Sequence, residues 1–211
     1  MNPDIDSAAM AATFAATTPG EVEARYADWA ASYDAENAAS GFRLPQMCAA
    51  FFARHVPVGS APVLDAGCGT GLAGDCLRIS GYRDIVGLDL SERMLAHAER
   101  RGLYASLHRM TLGETLDFAS GRFAAMIASG VFTEGHAPHA SFDELIRVTR
   151  SGGCLVFSVR DDIYERHGFR ERQEALEREG RWRLRELSDP FRSFTIKEPN
   201  IRARIFVYEV S

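Results

Sequence analysis

The stretch Val63-Leu64-Asp65-Ala66-Gly67-Cys68-Gly69-Thr70-Gly71 decides the fold. Val63 to Ala66 reads as a short strand that carries one acid. Glycines at alternate positions then make a turn, and Leu72-Ala73-Gly74 opens a helix. Downstream, Asp84-Ile85-Val86-Gly87-Leu88-Asp89 reads as a second strand ending in another carboxylate. A strand, a glycine turn, a helix and a second strand with a terminal acid make half of a nucleoside-binding α/β unit. Residues without side chains let a ligand touch the backbone of the turn. The acid at the end of the second strand suits the two hydroxyls of a ribose.

The flanking sequence continues the alternation of β and α elements. The first strand is expected over 62–66, its helix over 71–80 and the second strand over 84–89. Ser91 caps a helix over 92–101, and a third strand covers 104–109. Phe123-Ala124-Ala125-Met126-Ile127-Ala128 is apolar throughout, as a central parallel strand should be. Ser141-Phe142-Asp143-Glu144 has the form of a capping box, and Phe142, Leu145, Ile146 and Thr149 follow at helical spacing. Cys154 to Val159 reads as strand five. The Glu/Arg-dense run from Asp161 to Arg185 predicts a solvated helix with Glu174–Arg178 and Glu177–Arg181 pairs. Arg202 to Val210 alternates and reads as a strand near the sheet edge. At the other end, residues 1–17 read as a loose tail. Thr18-Pro19-Gly20-Glu21 starts a helical region over 19–55, broken near Gly41 and Pro45. The expected organisation is a tail over 1–17 and a single domain over 18–211 whose first part, 18–58, is a helical cap.

Composition narrows the function. The 211 residues carry a net charge of -5, which does not supply the broad basic face that nucleic acid needs. No apolar run approaches the ~20 residues that span a bilayer. The N-terminus has Asp4 and Asp6 in place of a basic, apolar leader, so a cytoplasmic protein is expected. Cys48, Cys68, Cys76 and Cys154 form no C-x-x-C pair, which points to reduced thiols and no metal site.

Gly69-Thr70-Gly71-Leu72-Ala73-Gly74 also fits G-x-G-x-x-G, the dinucleotide fingerprint. Asp65 argues against NAD, because a pyrophosphate close to a carboxylate would be repelled. An ammonium or sulfonium would be attracted there.

Asp65, Gly67, Gly69, Gly71 and Asp89 together resemble the acid-x-Gly-x-Gly-x-Gly motif and second-strand acid of Rossmann-like S-adenosylmethionine-dependent methyltransferases. Tyr26-Ala27-Asp28-Trp29-Ala30-Ala31-Ser32-Tyr33-Asp34 resembles the aromatic helix that covers the cofactor in small-molecule members. Phe42-Arg43-Leu44-Pro45, Arg101-Gly102-Leu103-Tyr104, Thr111-Leu112-Gly113 and Ile146 to Gly153 are similar to the methyltransferase-like proteins of the Williams–Beuren syndrome region. The likeness covers about residues 22–185. It implies a seven-stranded, mostly parallel sheet of order 3-2-1-4-5-7-6, with helices on both faces and a helical cap. It implies methyl transfer from S-adenosylmethionine to a small-molecule acceptor; the acidic charge and the lack of a long apolar run make nucleic-acid and membrane partners unexpected. A binding module without turnover and an NAD(P)-dependent oxidoreductase are the alternatives, and the sequence leaves the oligomeric state open.

The cofactor-binding residues this implies are Tyr26, Trp29, Tyr33, Arg43, Asp65, Ala66, Gly67, Cys68, Gly69, Gly71, Leu72, Asp89, Leu90, Met94, Thr111, Leu112, Ser129 and Gly130. Arg43 is expected on the cofactor's carboxylate. Two departures stand out: Ala124 follows Phe123 where relatives have Asp, and Met110-Thr111-Leu112 lacks the acid that contacts adenine. The acceptor is expected at the loop after strand four, where Glu134, His136 and His139 are the candidate acid–base residues. Arg160 and Asp161 are further candidates for the pocket wall.

Overall fold

The computed structural model describes residues 20–21, 29–133 and 136–211. The expected Thr18 helix start, Tyr26 and Glu134 lie outside the described residues.

The elements run α1 (Tyr33–Ser40), α2 (Leu44–His55), β1 (Val63–Ala66), α3 (Leu72–Ile79), β2 (Ile85–Asp89), α4 (Glu92–Arg100), β3 (Ser106–Arg109), β4 (Phe123–Phe132), α5 (Ser141–Val148), β5 (Thr149–Arg160), α6 (Asp161–Tyr164), α7 (Phe169–Arg178), β6 (Trp182–Leu187), β7 (Phe191–Arg192) and β8 (Arg202–Val210). Gly41, in the left-handed region at φ 71°, ends α1, and Pro45 sits in the first turn of α2. Ser91 caps α4 by accepting from the Met94 amide at 3.4 Å.

The sheet order is β3-β2-β1-β4-β5-β8-β6, with β7 paired to β8 off this path. With the two-residue β7 set aside, this is the expected 3-2-1-4-5-7-6. β1 to β5 pair in parallel, whereas β8 is antiparallel to both β5 and β6. The chain leaves β1 toward β2 on one side and returns on the other as β4. That reversal opens a crevice at the carboxyl ends of β1 and β4.

Alternation along β1 decides what each face holds. Leu64 and Ala66 join one core with Leu88, Met126, Phe132, Phe142 and Phe157. Val63 joins the other, beneath α2 and α3, with Cys48, Phe52, Leu77 and Ile127. Asp65 therefore projects into the second core.

Two local expectations fail. Ser141 does not cap α5: Ala140 is the N-cap and the buried Ser141 hydroxyl has no hydrogen-bond partner among the described residues. Glu144 turns instead to the Leu116 amide at 2.8 Å and the Arg147 guanidinium at 2.6 Å, which satisfy a carboxylate better than one amide would. The Glu/Arg-rich run is not one helix. Gly168 and Gly180, both at positive φ, bound α7, and the chain re-enters the sheet as β6. Trp182 drives this return by stacking on Tyr208 at 4.0 Å. Fully burying such a side chain stabilises by roughly 1.5–3 kcal/mol. Glu174 pairs with Arg170, and Glu177 accepts from the Leu184 amide.

Candidate active site

A cavity of about 300 Å³ opens in the crevice. Its floor is the glycine turn. Gly67, Gly69 and Gly71 all have positive φ, at 74°, 53° and 97°. The Gly67 and Cys68 amides donate to the Leu88 carbonyl at 2.8 and 2.9 Å, which ties the turn to β2. A Cβ on Gly67 would lie 2.5 Å from Val131, and one on Gly71 would lie 3.0 Å from Arg101. A Cβ on Gly69 would meet nothing within 4 Å among the described residues, so there the bare backbone faces the cavity.

Asp89 stands at the cavity wall. Its Oδ2 accepts from the Gly69 amide at 2.8 Å and its Oδ1 from the Ser91 amide at 2.9 Å. A carboxylate offers about four lone-pair sites, enough to accept from a ligand as well as from backbone amides. Tyr33, Leu90, Met94, Thr111, Leu112, Ser129 and Gly130 line the same cavity. Burial, then the charges of Asp89 and Asp34, push the Tyr33 hydroxyl well above the usual tyrosine range. Leu88, Ser91, Met110, Gly113, Glu114, Val131, Ala137 and Pro138 also line it. Glu114 supplies a carboxylate that the sequence motif does not show, because it lies beyond Met110-Thr111-Leu112.

Several expected residues lie elsewhere. Arg43 does not reach the cavity: its Nε donates to the Arg192 carbonyl at 2.7 Å and its guanidinium covers the Phe191 ring. Ala66, Cys68, Gly71 and Leu72 do not line the cavity. Trp29 packs edge-on against Tyr33 at 4.6 Å and lines a smaller pocket of about 40 Å³. That pocket lies between α1, the end of β4 and the β7–β8 connection, and shares Tyr33 and Gly130 with the main cavity. Arg160 lines it while paired with Asp162, and Asp161 is held by Arg204. Of the loop residues, His136 lines the main cavity, with Nδ1 2.7 Å from the Thr133 hydroxyl. His139 packs edge-on against Phe169 beside Gly168 and does not line the cavity.

Asp65 sits beneath the turn, not on the cavity wall. Burial pushes its carboxyl up to about 7, against the opposing hydrogen bond from Tyr104 at 2.7 Å, while Asp89 adds repulsion and the Gly74 amide relieves some of it. Its Oδ1 is buried and has no hydrogen-bond partner among the described residues. Half-protonated near neutrality, Asp65 does not supply the full fixed charge used against NAD. A different observation weighs against the dinucleotide fingerprint: a Cβ on Gly74 would collide with the Tyr104 hydroxyl, so this glycine is explained by internal packing.

The Asp65 shift has a measurable consequence. Because the folded carboxyl holds its proton to higher pH than the unfolded one, its burial is harmless below about pH 4. It destabilises progressively as pH rises to about 7. A shift of about three units corresponds to a stability change on the order of 4 kcal/mol. Asp65→Asn removes this titration. Calorimetry without cofactor should show the melting temperature of the variant, relative to wild type, rising between pH 5 and pH 8. A difference that stays flat across that range would contradict the assigned environment.

Burial pushes the Cys48 thiol up to about 12, so it is inert at neutral pH. Among the described residues no cluster of His, Cys, Asp and Glu could hold a metal ion, and no helix is long and apolar enough to cross a membrane.

Known proteins resemble this chain in sequence and in fold. A family described as "Methyltransferase domain" matches residues 63–153, which run from β1 through the glycine turn and Asp89 into β5. Human methyltransferase-like protein 27 is 32% identical over 163 residues, covering 74% of this chain and 66% of its own. A malonyl-acyl-carrier-protein O-methyltransferase of Erwinia pyrifoliae is 35% identical over 117 residues, covering 55% of this chain and 44% of its own. The chain thus spans about two thirds of the first relative and under half of the second. The crystal structure of the cyclase SpnF superposes with a TM-score of 0.69 at 16% identity, over 92% of this chain and 97% of that one, and so shares the fold. With the glycine turn, Asp89 and the sheet order in place, the chain belongs to the Rossmann-like S-adenosylmethionine-dependent methyltransferases.

Proposed function

We propose that this chain transfers the methyl group of S-adenosylmethionine to a small-molecule acceptor. The observation that carries the reading is the junction at Tyr33 and Gly130, where the cavity floored by the glycine turn meets the smaller aromatic pocket. The residues present fit the cofactor. Asp89 would take the ribose hydroxyls, the open backbone at Gly69 would let the ligand approach, and Leu90, Met94 and Leu112 would flank the adenine. The Tyr33 ring offers a negative face to a cation.

Bound S-adenosylmethionine supplies a methyl carbon on a sulfonium, a good neutral leaving group. The protein's task is then alignment and exclusion of water. Tyr33, Gly130 and Val131 would shape the passage through which the acceptor approaches. His136 would take a proton from a hydroxyl or thiol acceptor, while an amine arriving neutral needs no base. The net charge of -5 and the narrow pocket favour a small acceptor over a nucleic acid.

The test is transfer of a radiolabelled methyl group to a panel of small alcohols, phenols, thiols and amines, with bulk transfer RNA and ribosomal RNA in parallel. Label should enter a small molecule with release of S-adenosylhomocysteine. Label confined to RNA, or no transfer to any acceptor, would overturn the reading. With a hydroxyl or thiol acceptor, His136→Ala should lower the rate about a hundredfold. An unchanged rate would remove His136 from proton transfer.

A further inference from the structure

We infer that Arg101 is a positioning residue that fastens α1 to the glycine turn, so that docking of this helix and binding of the cofactor are one coupled event. The inference rests on the cofactor assignment above and concerns residues that do not line the cavity.

Arg101 follows α4 and reaches back under the turn. Its Nε donates to the Thr70 carbonyl at 2.6 Å, and one terminal nitrogen pairs with Asp34 at 2.5 Å. The other pairs with Asp75 in the first turn of α3. Asp34 is gripped a second time, because the Thr70 hydroxyl donates to its other oxygen at 2.6 Å. One carboxylate of α1 is thus held at both oxygens, by the turn and by the guanidinium that supports the turn. Thr70 is 1% exposed, so its hydroxyl is held in a closed setting.

The neighbour of Asp34 in the chain is Tyr33, which stands on the cavity wall. The latch therefore sets a cofactor-facing ring through the adjacent residue. It also holds the Thr70 carbonyl between Gly69 and Gly71, the part of the turn that carries the open backbone. The guanidinium spreads its donors over three nitrogens of one rigid plane and so reaches three separated partners, whereas a lysine gathers its three donors on a single nitrogen. A binding-competent state that is populated only in part lowers apparent affinity by that fraction. If loss of the latch leaves α1 docked for about a tenth of the time, affinity falls about tenfold.

Arg101→Gln and Asp34→Asn are each titrated with S-adenosylmethionine by calorimetry, alone and combined. Each single variant should bind about tenfold or more weakly, and the double variant should be no more than about twofold worse than the weaker single, as for one shared interaction. Arg101→Lys should restore only part of the affinity. Trp29 reports on docking independently, because the other tryptophan, Trp182, is buried in the core. Acrylamide should quench Trp29 more readily in the ligand-free variants than in the wild type, and cofactor should restore its protection. Thr70→Val, which removes only the hydroxyl bond, gives the same readouts if Arg101→Gln fails to fold. A wild type that does not bind the cofactor would sink the functional reading. A wild type that binds, beside folded variants with unchanged affinity and unchanged Trp29 quenching, or with fully additive losses, would overturn the latch alone.

Discussion

Asp89→Ala should weaken S-adenosylmethionine binding by at least a hundredfold. The carboxylate stands at the cavity wall, where two ribose hydroxyls would donate to it. Hydrogen bonds to a charged group are worth roughly 1.5–3 kcal/mol each. Losing two of them corresponds to about a hundredfold or more, at about 1.4 kcal/mol per factor of ten. The substitution also frees the Gly69 and Ser91 amides that Asp89 now holds, loosening the turn and the start of α4 together. Asp89→Asn keeps an acceptor for one of these amides and should fall between wild type and alanine. Calorimetric titration with S-adenosylmethionine measures both. An alanine variant that binds within threefold of wild type would remove Asp89 from the ligand site.

Gly69→Val should abolish detectable cofactor binding while the protein still folds. The position has φ 53°, where a branched side chain is strained by roughly 1–2 kcal/mol. Among the described residues nothing lies within 4 Å of the new Cβ, so the methyl groups project into the cavity without disrupting the core. The melting temperature should fall by about 2–8 °C, as a loss of that size predicts for a domain of this length. Gly67→Val is the contrasting case. Its Cβ would meet Val131 at 2.5 Å, so this variant should lose the fold along with the ligand. Circular dichroism beside the titration separates the two. A folded Gly69→Val that binds normally would show that the ligand does not approach this backbone.

The features legible in the sequence are those written in local pattern. The glycine turn, Asp89 at the end of β2, the Ser91 cap and the apolar β4 depend on residues close together in the chain, and the structure has each in place. The sheet order came with the resemblance, and β7 was too short to be seen. What the sequence hid depends on partners far away. Arg43 is taken by Arg192 and Phe191 across the molecule, which no local motif announces. Asp65 was placed correctly before the turn, but its face and its burial beside Tyr104 follow from the strand alternation and from α2 and α3 closing over it. His136 and His139 are indistinguishable in the loop sequence, and only the packing of Phe169 separates them. Ser141 to Glu144 had a helix-start pattern, yet Arg147 and Leu116 made the stronger offer to Glu144. Arg101 was visible only as part of a resemblance, because its partners Asp34, Thr70 and Asp75 lie in three separate segments.

The central claim is that the cavity over the glycine turn holds S-adenosylmethionine. Its most direct test is a pair of calorimetric titrations of the wild-type protein, one with S-adenosylmethionine and one with NAD. The account predicts a single saturable site for S-adenosylmethionine, competed by S-adenosylhomocysteine, and no binding of NAD. Saturable NAD binding with no heat from S-adenosylmethionine would contradict it.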